Sequence, residues 1–105
     1  MNRTTLLAAV AALAGLAAAP VASADEALAK KHNCLACHQI AAKSVGPAYK
    51  EVAKKYKGQA GATAMLAGKV KAGGSGTWGP IPMPPNPAVS DADIAKLVAW
   101  ILKQG

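Results

Sequence analysis

Apolar side chains recur along this chain at intervals of three and four, the spacing that gathers them on one face of an α-helix. Tyr49, Val52, Ala53 and Tyr56 fall at i, i+3, i+4 and i+7, while Lys50, Lys54 and Lys57 lie on another side. Pro47 is tolerated in a first helical turn, so this helix is predicted to open there and to stop at Gly58. Ile94, Leu97, Val98 and Ile101 repeat the stripe, with Trp100 beside it. Ser90 is its expected N-cap, and Asp93 three residues on makes an acidic variant of the capping box. A third helix is predicted over residues 60–72, with Leu66 and Val70 facing inward and Gly73-Gly74-Ser75-Gly76 ending it. A lighter helix over residues 25–34 starts on Asp25 and Glu26 and offers Ala27, Leu28 and Ala29 as its apolar side. Residues 39–46 read as a loop. Residues 77–89 hold Pro80, Pro82, Pro84, Pro85 and Pro87. Each removes a backbone donor and fixes φ, so the segment is expected to be irregular. No stretch alternates as a strand would, and the pattern is that of an all-α chain.

The first residues follow a different rule. Arg3 precedes an unbroken apolar run over residues 6–19, Pro20 breaks it, and Ala22-Ser23-Ala24 is an A-x-A site. The run is shorter than the roughly 20 residues a spanning helix needs. This is the build of an export leader, with cleavage expected after Ala24. The expected organisation is therefore a cleaved leader, residues 1–24, and one domain, residues 25–105, in the periplasm.

Such a domain is short for a self-sufficient core, and the chain has no Phe. The formal net charge is +7, and only Arg3 among the positive charges falls in the leader. A basic surface attracts acidic proteins, anionic membranes or nucleic acid; export argues against the last.

The chain's only two cysteines stand in Cys34-Leu35-Ala36-Cys37-His38. This is C-x-x-C-H, the attachment signature of c-type haem. Two thiols can each add across a haem vinyl group, and the imidazole can bind the iron from that side. At helical spacing all three project from one face. A covalently held haem would also supply the missing apolar core. With one His on the iron, the sixth ligand decides between electron transfer and chemistry. His32 is too close to the attachment side to reach the other face and reads as an exposed helix residue. Met65 reads as packing beside Leu66. Met83 stands among prolines in Trp78-Gly79-Pro80-Ile81-Pro82-Met83-Pro84-Pro85-Asn86, where a restrained backbone can present its thioether at little ordering cost. The competing reading is a surface loop whose Met fills a gap in the core.

Taken with Val45-Gly46-Pro47-Ala48-Tyr49 and Val89-Ser90-Asp91, these motifs resemble the class I bacterial c-type cytochromes, within them the short cytochrome c-551 type. The resemblance spans nearly all of residues 25–105. It implies an all-α cytochrome c fold, four or so short helices around one covalent haem c on Cys34 and Cys37, with His38 and Met83 on the iron. It implies that the Pro47 carbonyl accepts a hydrogen bond from the non-ligating nitrogen of His38. It further implies that Trp78 donates to a haem propionate, that Lys69 lies near a propionate, and that Asn86 bonds the Met83 sulfur region. Three positions depart from the family's habit: Ala29 replaces an aromatic, Asn33 replaces a Gly, and Pro87 looks like a one-residue insertion. Contacts between the first and last helices would then fall to Leu28 with Leu97 and Trp100.

The expected function is a soluble monohaem electron carrier, not an enzyme. Lysines at the haem edge, with Lys43, Lys50, Lys54, Lys57 and Lys71 as candidates, would steer acidic redox partners. In the family such partners are nitrite reductases, terminal oxidases and peroxidases. The domain is expected to act as a monomer. A peroxidase-like or gas-binding protein would need an open sixth site and a polar distal group, and the chain offers no distal His. A dithiol oxidoreductase would sit in a βαβ setting, absent here. Zinc would want about four Cys or His ligands, and no second cysteine pair exists.

Overall fold

The computed structural model describes residues 21–105; the expected leader, up to residue 20, lies outside the described residues. Among the described residues there are four α-helices: α1 Val21–Lys31, α2 Tyr49–Tyr56, α3 Ala62–Ala72 and α4 Asp91–Leu102. A two-stranded antiparallel hairpin, β1 Gly74–Gly76 and β2 Gly79–Met83, stands between α3 and α4.

The last helix organises the rest, packing against α1, α2 and α3. Its start is as expected: Ser90 caps it, its hydroxyl accepting from the Asp93 N–H at 3.1 Å. Its stripe, Ile94, Leu97, Val98 and Ile101, is buried, and so is Trp100. The stripe of α2, Tyr49, Val52, Ala53 and Tyr56, is buried in turn. In α3 only Ala62 is fully buried, with Leu66 and Val70 packed partly against the core.

Four expectations are corrected. The first helix begins at Val21, not at residue 25, and ends at Lys31. Asn33 stops it by taking φ 59°, ψ 21°, a left-handed conformation that Asn tolerates better than most residues and Gly best. Pro47 stands outside α2: Ala48 is the N-cap, with extended ψ of 140°, which suits the residue after a proline turn. The proline-rich segment is not irregular throughout. Its first half is β2, because the hairpin pairs Gly74 with Met83 and Gly76 with Gly79; Pro80 and Pro82 occupy a strand with an unpaired side, where a missing N–H costs nothing. His32, expected to be exposed, is half-buried. Its Nε2 lies 3.1 Å from Asp93 Oδ2, tying the end of α1 to the start of α4. The Asp93 carboxylate is thereby diverted from the capping box expected of it.

Two departures from family habit are absorbed locally. Ala29 is 0% exposed, a small side chain at the approach of α1 to α4, with Leu28 packed beside it. Pro87 takes the second position of a turn closed by the Val89 N–H on the Asn86 carbonyl at 3.2 Å. A proline is preset for that position.

Candidate functional site

The Cys34–Ala36 segment is one tight 3-10 turn. The Cys34 carbonyl accepts from the Cys37 N–H at 3.2 Å and from the His38 N–H at 3.0 Å. That turn brings both thiols and the imidazole to the edge of one cavity of about 610 Å³. Leu66 and Val70 of α3, Leu97 and Val98 of α4, and Met83 at the end of β2 complete its apolar walls. All the sequence-predicted site residues except Asn86 line it: Cys34, Cys37, His38, Pro47, Lys69, Trp78 and Met83.

His38 is held closely. Its Nδ1 lies 2.8 Å from the Pro47 carbonyl. A carbonyl only accepts, so Nδ1 carries the proton and Nε2 keeps a free lone pair. The Gly46 N–H donates to the Cys37 carbonyl at 2.7 Å, folding the loop back on the attachment turn. A side chain at Gly46 would not fit: its Cβ would stand 2.6 Å from His38 Cε1. Tyr49 stacks on the imidazole with ring centroids 4.9 Å apart and 16° between planes. Burial pushes the Cys34 thiol up from its ordinary range, and a hydrogen bond with Tyr49 draws it partly back. Burial likewise holds the Tyr49 phenol well above its ordinary range, with the neighbouring Cys34 and Cys37 adding to the effect.

Met83, the last residue of β2, is brought to the cavity wall by the hairpin. Gly73 permits this, since it has φ 72° and a Cβ there would strike the Met83 carbonyl. Trp78 stands at the hairpin tip, 41% exposed at the cavity mouth, with Lys55 Nζ 5.8 Å from its ring centroid. Lys69 lies alongside β1, where a Cβ at Gly74 would be 3.0 Å from its Nζ. Asn86 stands just outside the cavity lining. It lies near Met83 in a small adjoining pocket, and its Nδ2 donates to the Val70 carbonyl at 3.0 Å and the Pro84 carbonyl at 3.3 Å. Asn86 thus ties the methionine loop to α3.

Two contacts were not legible. The stripe containing Tyr49 signals burial and says nothing of a stack on His38. Lys55, on the edge of Trp78, carries no sequence mark that separates it from its lysine neighbours on α2.

The donor set is two thiols, one imidazole nitrogen with a free lone pair, and one thioether around a largely apolar cavity. The cavity is within the roughly 300–1,000 Å³ of cofactor-sized pockets. These residues fit a flat apolar macrocycle with a metal at its centre and two side-chain anchors. The comparisons with known proteins agree. The family model described as Cytochrome c matches residues 23–105. Cytochrome c-552 of Nitrosomonas europaea is 56% identical over 91 residues, covering 87% of this chain and 88% of that protein. Cytochrome c-551 of Pseudomonas aeruginosa is 58% identical over 79 residues, 75% of each chain. The crystal structure of wild-type Nitrosomonas europaea cytochrome c552 superposes with a TM-score of 0.74 at 56% identity, covering 76% of this chain and 99% of that one. With the matched model spanning the whole domain, the chain belongs to the cytochrome c family: it is a class I c-type cytochrome of the c-551 type, an electron carrier with one covalently attached haem c.

Proposed function

We propose that Cys34 and Cys37 hold the haem as thioethers, that His38 and Met83 bind its iron, and that the protein shuttles single electrons between respiratory partners in the periplasm. The observation that carries this reading is one cavity lined by both cysteines, His38 and Met83 together. When bound, the haem supplies a one-electron Fe(III)/Fe(II) couple.

The chain's residues do the rest. Pro47 fixes the tautomer of His38 and directs its Nε2 lone pair away from the hydrogen-bonded side. Met83 offers a soft thioether that favours reduced iron and so raises the potential. With His38 and Met83 both given to the iron, these residues would leave no open position for a substrate. Trp78 and Lys69, which line the cavity, would meet the polar edge of the haem.

The mouth also sorts the candidate lysines. Of the five candidates Lys43 lines the cavity; Lys69, expected near a propionate, lines it too, and Lys55, outside the candidate set, has its Nζ 5.8 Å from the Trp78 ring centroid. Lys71 is drawn instead to the Val89 carbonyl at 2.9 Å and to Asp91 at 3.4 Å. Lys54 pairs with Glu51 at 3.5 Å. Val45, Trp78 and Ile81, exposed apolar residues of the cavity lining, together with Lys43 and Lys69 of that lining and Lys55 near Trp78, would suit a redox protein with an acidic docking face. Nitrite reductase, terminal oxidase and peroxidase are partners of this chemistry in the family. Residues 1–24 serve as the export leader, and the domain acts as a monomer.

The test is mass spectrometry and optical spectroscopy on protein from a periplasmic preparation, for wild type and Met83→Ala. The expected mass is that of residues 25–105 plus one haem. The expected oxidised spectrum has a far-red sulfur–Fe(III) charge-transfer band, lost in Met83→Ala. A band absent from wild type would overturn Met83 as ligand, and a mass including residues 1–24 would overturn the leader.

A further inference from the structure

We propose that Tyr49 is a positioning residue for His38 that fixes the plane of its imidazole, and that Trp100 fixes Tyr49 in turn. The proposal rests on the reading of His38 as iron ligand.

An imidazole is broadly free about its second torsion. The hydrogen bond from Nδ1 to the Pro47 carbonyl, 2.8 Å long, pins one atom of the ring. It leaves the ring able to rock about the line of that bond. Removing this motion requires a contact against the face of the ring. Tyr49 supplies one, at 4.9 Å between centroids and 16° between planes, within the offset-stacked range. The backbone of Gly46 closes on the same ring, leaving no space for even a methyl group.

Tyr49 is itself immobilised from several directions. It is 4% exposed. Its N–H donates to the Gln39 carbonyl at 2.9 Å. Its ring meets Trp100 edge to face, 5.4 Å between centroids and 77° between planes. Trp100 is 2% exposed on α4. Three rings thus run in series from the helix that organises the fold to the imidazole. The orientation of an axial imidazole sets how its π system overlaps the metal orbitals. A contact that fixes the ring therefore acts on the electronic state of the centre as well as on stability.

The experiment uses oxidised holoprotein and reads the hyperfine-shifted proton resonances of the His38 ring, the midpoint potential and the unfolding midpoint. Tyr49→Phe keeps the ring and is expected to leave the His38 shifts close to wild type. Tyr49→Leu removes the ring and is expected to move those shifts and displace the potential. Trp100→Phe is expected to move them less, in the same direction. Ile94→Ala alters a buried residue of α4 that does not line the cavity. It is expected to lower the unfolding midpoint with the His38 shifts in place. Unchanged shifts in Tyr49→Leu, or equal shifts in Ile94→Ala, would overturn the positioning role and leave the ligand reading intact. No hyperfine-shifted His38 ring signals in wild type would overturn both. If Tyr49→Leu does not fold, Trp100→Phe decides, and wild-type shifts in that protein overturn the proposal.

Discussion

At the scale of single residues, the least forgiving position next to His38 is Gly46. An added methyl would sit 2.6 Å from Cε1 and 2.9 Å from Nδ1, so the ring would have to shift against its hydrogen bond to the Pro47 carbonyl. Gly46→Ala is expected to cost about 1–3 kcal/mol, the usual penalty for overpacking, and to weaken the far-red band through the displaced imidazole. Denaturant titration and the oxidised spectrum of the same sample check both. Tyr49 gives a second test. Burial, the largest cause, raises its phenol above the ordinary range, and burial persists when the cysteines are thioethers. The folded state thus holds its proton after the unfolded chain, with a phenol near about 10, has released it. Stability from this group is complete below pH ~10 and is lost as pH rises above it. Between pH 10 and 11.5, Tyr49→Phe should lose less stability than wild type in chemical denaturation; equal losses would contradict the burial argument. The sequence made the chemistry-bearing residues legible because thiol, imidazole and thioether are rare and their spacing is informative. It gave no sign that the Asn86 amide reaches the Val70 and Pro84 carbonyls, since an amide's choice among nearby carbonyls depends on loop geometry that no spacing encodes.

At the scale of elements, the stripes of α2 and α4 and the Ser90 cap were legible because helical period and capping are local rules. The errors arose where tertiary partners overrode them. Prolines that forbid a central strand are harmless in a two-stranded hairpin whose partner strand is Gly-rich. A histidine after two lysines looks solvated until α4 brings Asp93 to it from across the chain. That His32–Asp93 contact is the least expected link between elements, with side chains only 17% and 27% exposed. The imidazole N–H donates to the carboxylate, so the contact joins α1 to the cap of α4 whether or not the ring is charged. A double-mutant cycle with His32→Ala and Asp93→Ala should give a coupling of about 0.5–1.5 kcal/mol, in the range of net hydrogen-bond contributions. A coupling near zero would mean that the two side chains are held in place independently. Because Asp93 also donates its N–H to Ser90, its backbone cap should survive the substitution, and α4 should keep its helicity by circular dichroism.

At the scale of the whole molecule, charge and cavity lead to two expectations. The rate of electron transfer to an acidic partner should fall as salt rises, because exposed charges are screened beyond about 10 Å at 0.1 M. Lys55→Gln should flatten that salt dependence more than Lys71→Gln, since Lys71 is committed to Val89 and Asp91; stopped-flow rates against ionic strength decide it. The second expectation concerns what fills the middle of the fold. Among the described residues Ile94, Leu97, Val98 and Trp100 of α4 are buried, while residues of α2, α3, α4 and the hairpin also line a cavity of about 610 Å³. A domain of this size has roughly 5–15 kcal/mol of stability in total. Each large apolar side chain left wet instead of buried forfeits about 1.5–3 kcal/mol. Leu66 and Val70 line the cavity and are only partly buried without haem, and Val45, Trp78 and Ile81 of the same lining are exposed, so an unfilled centre leaves much of this apolar wall unpacked and draws heavily on that reserve. A Cys34→Ser/Cys37→Ser chain, unable to hold the haem covalently, is therefore expected to lose its cooperative thermal transition and most of its helical circular dichroism at 25 °C. Retention of a sharp transition without haem would show instead that the contacts of α4 with α1, α2 and α3 suffice, and that the haem enters a frame already built.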